Sequence, residues 1–219
     1  MLGKTSLWIV WRNQLPRGEQ VASIALSRLR LWASLLDPDF RHSQHVARLA
    51  LQLYDGLPPV PGAESREERN MLQLAALLHD VGLSQKGKAH HKTSEKLITL
   101  LDPPLGWSKE KLKMVAAVAR YHRGALPRTG QKVLAGFTAG QRQTAIRLAA
   151  VLRLANSFDA ERDGRIERLA CERKNGFLLI RAQDYNPRDR MAERIAGSRH
   201  LLELVYRRPI LVKPLRPAG

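Results

Sequence analysis

The sequence predicts a mainly α-helical protein with a small C-terminal α+β appendage, made of a β-hairpin, a helix and a short strand. Three observations carry that prediction. Apolar residues recur at helical spacing through six segments between Gly18 and Asp159. Prolines and glycines punctuate those segments. After Asp163-Gly164 the pattern changes to two short runs, 166–171 and 177–182, joined by Lys174-Asn175-Gly176, and Asn-Gly is a strong hairpin signal.

Taken in order, residues 1–17 read as an N-terminal extension. From Gly18 to Leu36, residues Val21, Ile24, Ala25, Leu29, Leu31, Trp32 and Leu35 keep helical spacing. Asp37-Pro38-Asp39 closes that helix, because proline disfavours α geometry in the residue before it. A second helix is expected over 40–57, with His42, Val46, Leu49, Ala50 and Leu53 as its buried stripe. His42 heads that apolar face; His45 is expected to be partly exposed. Pro58-Pro59-Val60-Pro61-Gly62 connects to a third helix carrying Leu72 to Asp80. A polar loop, 82–89, is followed by His90-His91-Lys92-Thr93-Ser94, which leads into a fourth helix over 95–101. The fifth is expected over 109–123 and the sixth over 140–159. In the sixth, Ala145, Leu148, Ala149, Leu152 and Ala155 form the core stripe, Asn156 continues it, and Asp159 lies on the same side. A last helix over 188–207 and a strand over 210–212 complete the chain. The organisation expected is therefore a helical domain over 18–163, a small α+β subdomain over 164–213 and a tail, 214–219.

Composition narrows the function classes. The formal charge is +17, from 37 Lys+Arg against 20 Asp+Glu, and such a balance implies an anionic partner. Lys111, Lys113, Arg120, Arg123, Arg128, Lys132, Arg142, Arg147 and Arg153 fall between residues 111 and 158 with no acid among them. Aromatic residues are only 5 % and do not interleave with the basic ones, which argues against a base-stacking platform for single strands. One cysteine, Cys171, excludes an internal disulfide and thiolate zinc frameworks. No membrane span and no secretory leader are expected, so the cytoplasm is the expected compartment.

The stretch Leu77-Leu78-His79-Asp80-Val81-Gly82 is the chemical centre of the sequence. At helical spacing His79 lies over Ala75 and Leu72 and faces the core. A carboxylate beside it costs on the order of several kcal/mol unless a positive group pairs with it. A divalent cation held by both side chains would remove that cost; a core histidine next to a helix-terminal Asp is the plainer alternative. His42, Asn156 and the group His90, His91 and His122 join the pair on other elements, and six of the seven histidines fall between 42 and 122. Imidazole and carboxylate without sulfur suit Mn, Fe, Ni, Co or Zn, and Mg less well. Such an ion clamps a phosphate oxygen and acidifies water. Lys92, Arg120 and Arg123 sit beside the histidines, where a phosphate ester needs counter-charges.

Several motifs in fixed order give a family resemblance: His42-Ser43 with Val46-Ala47, Ala75 to Gly82, His90-His91-Lys92 with Ser94, Ala119 to Arg123, and Leu152 to Ala155. Together they resemble the HD superfamily of metal-dependent phosphohydrolases. The likeness is closer to the HD-like C-terminal domain of the exopolyphosphatase/guanosine-pentaphosphate phosphatase family, over roughly residues 20–213. The resemblance implies an HD-type helical core and a divalent metal ion on His42, His79 and Asp80. The family's fourth ligand, an Asp, falls on Asn156 here. It implies catalytic side chains at Asp80, His90, His91 and His122, and phosphate-holding ones at Lys92, Arg120, Arg123 and Arg153. Position 93 is Thr where a histidine often stands, and Asp159 is the next carboxylate after Asn156. No glycine-rich phosphate loop like those of the family's actin-like catalytic domain occurs in this sequence. The expected function is a phosphohydrolase acting on a nucleotide, (p)ppGpp or polyphosphate, with a non-catalytic polyphosphate- or nucleotide-binding or regulatory module as the alternative. The expected partner is an anionic phosphate-containing ligand, with nucleic acid a lesser alternative; a homodimer or a partner catalytic subunit stays open.

Overall fold

The computed structural model describes residues 18–60, 65–85, 87, 89–128 and 130–215. The expectations for residues 1–17, for Pro61-Gly62 and for residues 216–219 lie outside the described residues. Seven α-helices are found among them: α1 Gly18–Leu36, α2 Phe40–Gly56, α3 Ser65–Leu78, α4 His90–Leu100, α5 Lys109–Arg120, α6 Ala139–Ser157 and α7 Arg190–Tyr206. Three strands, β1 Leu169–Arg173, β2 Leu178–Ala182 and β3 Ile210–Pro214, form the C-terminal sheet. The mainly helical fold with a small α+β appendage is therefore as expected. No described helix is long and apolar enough to cross a membrane.

Local chemistry sets most of the boundaries. Asp39 caps α2 by accepting from the His42 N–H, Ser108 caps α5 through the Lys111 N–H, and Thr138 with Gln141 makes a reciprocal capping box on α6. The core is a leucine-rich cluster, with Leu49 and Leu53 of α2, Leu72, Leu74 and Leu78 of α3, and Leu148, Leu152 and Leu154 of α6 all fully buried. Helix α1 lies on α3, α4 pairs with α5, and α7 packs on α6. On α1 the buried stripe is Ala25, Leu29 and Ala33, whereas Ile24, Leu31 and Leu35 face outward. Among the described residues α1 packs along one side, so its broad apolar face is half used there.

A charged network joins the three central helices. Glu68 of α3 receives Arg147 and Thr144 of α6 and the Tyr54 hydroxyl of α2. Glu68 and Arg147 are both buried, so each supplies the charge that the other needs. In the sheet, β1 and β2 are antiparallel, with Leu169 opposite Ala182 and Arg173 opposite Leu178. Strand β3 returns parallel to β2, giving the order β1-β2-β3. Gly176 turns the hairpin at φ 84°, a conformation open to glycine. Strand β1 sits on α2.

Three sequence expectations are corrected. His45 is buried, not partly exposed: its Nε2 lies 2.9 Å from the Ile166 carbonyl and its Nδ1 accepts from Arg48 at 2.8 Å, so it ties α2 to the segment entering β1. Helix α4 starts at His90 rather than 95, which puts His90 and His91 on its first turn. Helix α5 stops at Arg120, and Tyr121-His122-Arg123 form a turn that swings His122 inward.

Candidate metal centre

The end of α3 delivers His79 and Asp80, and a short 3-10 turn, Val81–Ser84, follows at once. That turn is locked to α4. The Ser94 hydroxyl donates to the His79 carbonyl at 2.7 Å and accepts from the Gly82 N–H at 2.9 Å. Gly82 is required by the fit, since a Cβ there would lie 2.2 Å from the His90 carbonyl oxygen and 2.5 Å from the Ser94 nitrogen. The His-Asp-Val-Gly stretch and the His-His-Lys-Thr-Ser stretch are therefore one interlocked unit, which fixes His90 against Asp80.

The buried Asp80 carboxylate is the hub. Its Oδ1 is 3.3 Å from His90 Nε2, 3.6 Å from His79 Nε2 and 3.7 Å from His122 Nε2, while Oδ2 is 4.0 Å from His42 Nε2. Asp80 Oδ1 and His79 Nε2 are buried and make no hydrogen bond. Atoms bound to one ion at roughly 2.0–2.2 Å sit about 3–4.4 Å from one another, so the 3.3–3.7 Å spacings around Oδ1 suit ligands around a cation better than they suit hydrogen bonds. Among the described residues, two groups of possible ligand atoms, His42/His79/Asp80 and Asp80/His90/His122, each lie within 4.8 Å of one another.

The imidazoles are prepared for that role. His79 Nδ1 lies 2.7 Å from the Ala76 carbonyl, and His122 Nδ1 lies 2.7 Å from the Ala119 carbonyl. A carbonyl only accepts, so both Nδ1 atoms carry the proton and both neutral rings turn a lone pair on Nε2 toward Asp80. Burial pushes the His79 pKa down and, together with the neighbouring His79, drives that of His122 well below its usual value. Burial acts to raise the Asp80 pKa, but the surrounding His79, His90, His122 and Arg162 outweigh it and hold the carboxyl far below the usual range. Neutral imidazole beside ionised carboxylate is the protonation state that a divalent ion needs.

The His42 side is arranged differently. His42 Nδ1 is 2.6 Å from Asp159 Oδ2, and its Nε2 is 3.0 Å from Asn156 Oδ1. Asp159 also accepts from the Gly164 N–H at 2.9 Å. Arg162 reaches in from the turn that follows α6, donating from Nη2 to Asp80 Oδ2 at 2.7 Å and from Nη1 to Asp39 Oδ2 at 2.8 Å. A cavity of about 440 Å³ opens above this side, with His42 and His122 in its lining and Arg123, Arg153, Arg162 and Arg194 around it. Gly197 and Ser198 of α7 form part of the opposite wall.

Of the residues singled out from sequence, His42, His79, Asp80, His90, His122 and Asn156 come together. His91 stands further out, its ring centroid 5.9 Å from His90 and 6.3 Å from His122, with Nε2 turned toward Gly124. Lys92 is exposed. Arg120 Nε is 4.0 Å from Glu95. Arg153 donates to the Tyr121 and Gly124 carbonyls and so pins the turn that carries His122. The acid-free basic run is thus partly neutralised in space, Lys111 by Glu67 and Arg147 by Glu68, while Arg142 binds the uncharged Phe137 carbonyl.

Sequence reasoning missed Arg162 and the α7 wall. Arg162 belongs to no periodic segment, and its partners lie 82 and 123 residues away. Arg194 reads in sequence as the surface of a terminal helix.

A family model described as Ppx/GppA phosphatase, domain III, matches residues 30–192, from α1 through the hairpin to the first residues of α7. No curated protein matches the chain. With well over half of its length accounted for, including every residue of the His-Asp cluster, the chain belongs to the Ppx/GppA phosphatase domain III family.

Proposed function

We propose that this protein is a metal-dependent phosphohydrolase of the HD type, acting on a phosphorylated anion such as a nucleotide, (p)ppGpp or polyphosphate. One observation carries the proposal: four imidazoles surround a single buried carboxylate, with two ligand atoms left without partners, beside an arginine-rimmed cleft. The donor set, imidazole and carboxylate without thiolate, suits Mn, Fe, Co, Ni or Zn. His79, Asp80, His90 and His122 would hold the ion, with His42 on the adjoining side. A divalent ion supplies Lewis acidity toward a phosphoryl oxygen and acidifies water.

The protein's own groups would do the rest. Arg123 and Arg194 are exposed at the rim, where they meet the charge of a phosphate chain. Asp159, hydrogen-bonded to His42 Nδ1, orients that ring, so His42 Nε2 on the cleft side is placed to give a proton to the leaving oxygen. Asp80 and the buried rings exclude water from all but the cleft side. A non-catalytic anion-binding module is the second reading, favoured by Asn156, a neutral group at the position where the resemblance implies an Asp.

The test is hydrolysis of bis(p-nitrophenyl) phosphate, pyrophosphate and polyphosphate by manganese-loaded protein. Turnover is expected, and His79→Ala should reduce it at least about 100-fold, more than the roughly 10–100-fold that changing an outer partner of a ligand costs. A salt-sensitive rise in melting temperature with polyphosphate but no turnover would support the binding module instead.

A further inference from the structure

The two oxygens of Asp80 have different surroundings. Oδ1 faces the Nε2 atoms of His79, His90 and His122 and accepts no hydrogen bond. Oδ2 is already taken by the Arg162 guanidinium at 2.7 Å. We infer that Arg162 is a built-in cation filling the His42 side of the centre, so that the chain takes a single divalent ion, on Asp80 Oδ1, His79, His90 and His122. This rests on reading the cluster as a metal centre and adds where the ion sits and how many bind.

Three features support the assignment. First, both nitrogens of His42 already have protein partners, Asp159 and Asn156, whereas His79 Nε2 has none. Second, a divalent ion on the His42 side would have to share Asp80 Oδ2 with Arg162. The His42 side holds Asp80 and Asp159, the latter bound to His42 and to the Gly164 N–H, and Asn156 adds a carbonyl without charge. A second divalent ion there would sit beside the Arg162 guanidinium and compete with it for Asp80 Oδ2. Third, Arg162 is positioned rather than resting there by chance. Its backbone lies at φ 58°, a left-handed conformation seldom adopted by a non-glycine residue, and its N–H bonds the Asp159 carbonyl at 3.0 Å. Its other terminal nitrogen is held by Asp39, the residue that caps the helix bearing His42. One helix cap thus fixes both the ring and the cation beside it.

The experiment loads the full chain with manganese, removes excess metal by dialysis, and reads metal per chain together with the electron paramagnetic resonance spectrum. Wild-type protein should hold one ion per chain with an uncoupled six-line spectrum. Arg162→Gln should hold two, with the exchange-coupled spectrum of ions about 3.5–4 Å apart. His90→Ala should lose the single wild-type ion. Two ions or a coupled spectrum in the wild type would overturn the inference, as would one ion in a folded Arg162→Gln protein or an ion retained by His90→Ala. Should Arg162→Gln fail to fold by circular dichroism, the wild-type count and spectrum decide alone. No ion in the wild type overturns the metal-centre reading as well, which separates the two failures.

Discussion

His79 and His122 each give their Nδ1 proton to a carbonyl three residues back in the chain, and this local bond decides what the ring offers on its other side. Both are fully buried, so both resist protonation in the folded state. His91, pushed down to about 4 by its burial and by Arg120, His90, Arg123 and Lys92, behaves likewise. In the unfolded chain these rings take a proton near 6.5. Below that pH the unfolded state binds more protons, so their contribution to stability is complete above about 6.5 and is lost on acidification toward 4 and below. Asp80, held low, adds a loss only below its ordinary range near 3.8. The melting temperature of chelator-treated protein should therefore be lower at pH 5 than at pH 7.5; an unchanged value would contradict the buried, neutral state of these rings. At this scale the sequence was informative where apolar spacing surrounded the residue, as for His42 and His79. It was silent on Arg162, whose role depends on Asp39 and Asp80, far away in the chain.

Between elements, the decisive contact is the clasp between the 3-10 turn after α3 and the first turns of α4. The start of α4 could not be placed from local signals: its cap position is Ala89, which makes no side-chain bond, and His90-His91-Lys92-Thr93 carries no strong helix-start pattern. Ser94 instead ties the start of α4 to the His79 carbonyl and the Gly82 N–H. Helices α2, α5 and α6 carry Asp, Ser and Thr caps, and their starts were legible to within a residue. Gly82→Ala should push α4 away from the turn, lowering stability by about 1–3 kcal/mol through overpacking. It should also weaken metal binding, because His90 moves with α4. Denaturant unfolding alongside metal titration checks this, and a variant as stable and as metal-competent as the wild type would show that the clasp does not position the centre.

Taken as a whole, the molecule brings α2, α3, α4, α5 and α6 to one carboxylate and places α7 across the cleft. The helical core and the hairpin could be read from periodicity and Asn-Gly. The α7 wall could not, because Arg194, Gly197 and Ser198 gain meaning only when α7 packs on α6. The net charge of +17 is distributed unevenly in space: Glu68 engages Arg147, backbone carbonyls hold Arg142 and Arg153, and Arg123 and Arg194 stand exposed at the cleft. The most direct measurement of the central claim is an anomalous difference map from crystals grown with manganese. A peak within roughly 2.0–2.3 Å of Asp80 Oδ1 and of at least two histidine Nε2 atoms is the result expected. Strong manganese peaks elsewhere with none at Asp80 would contradict it.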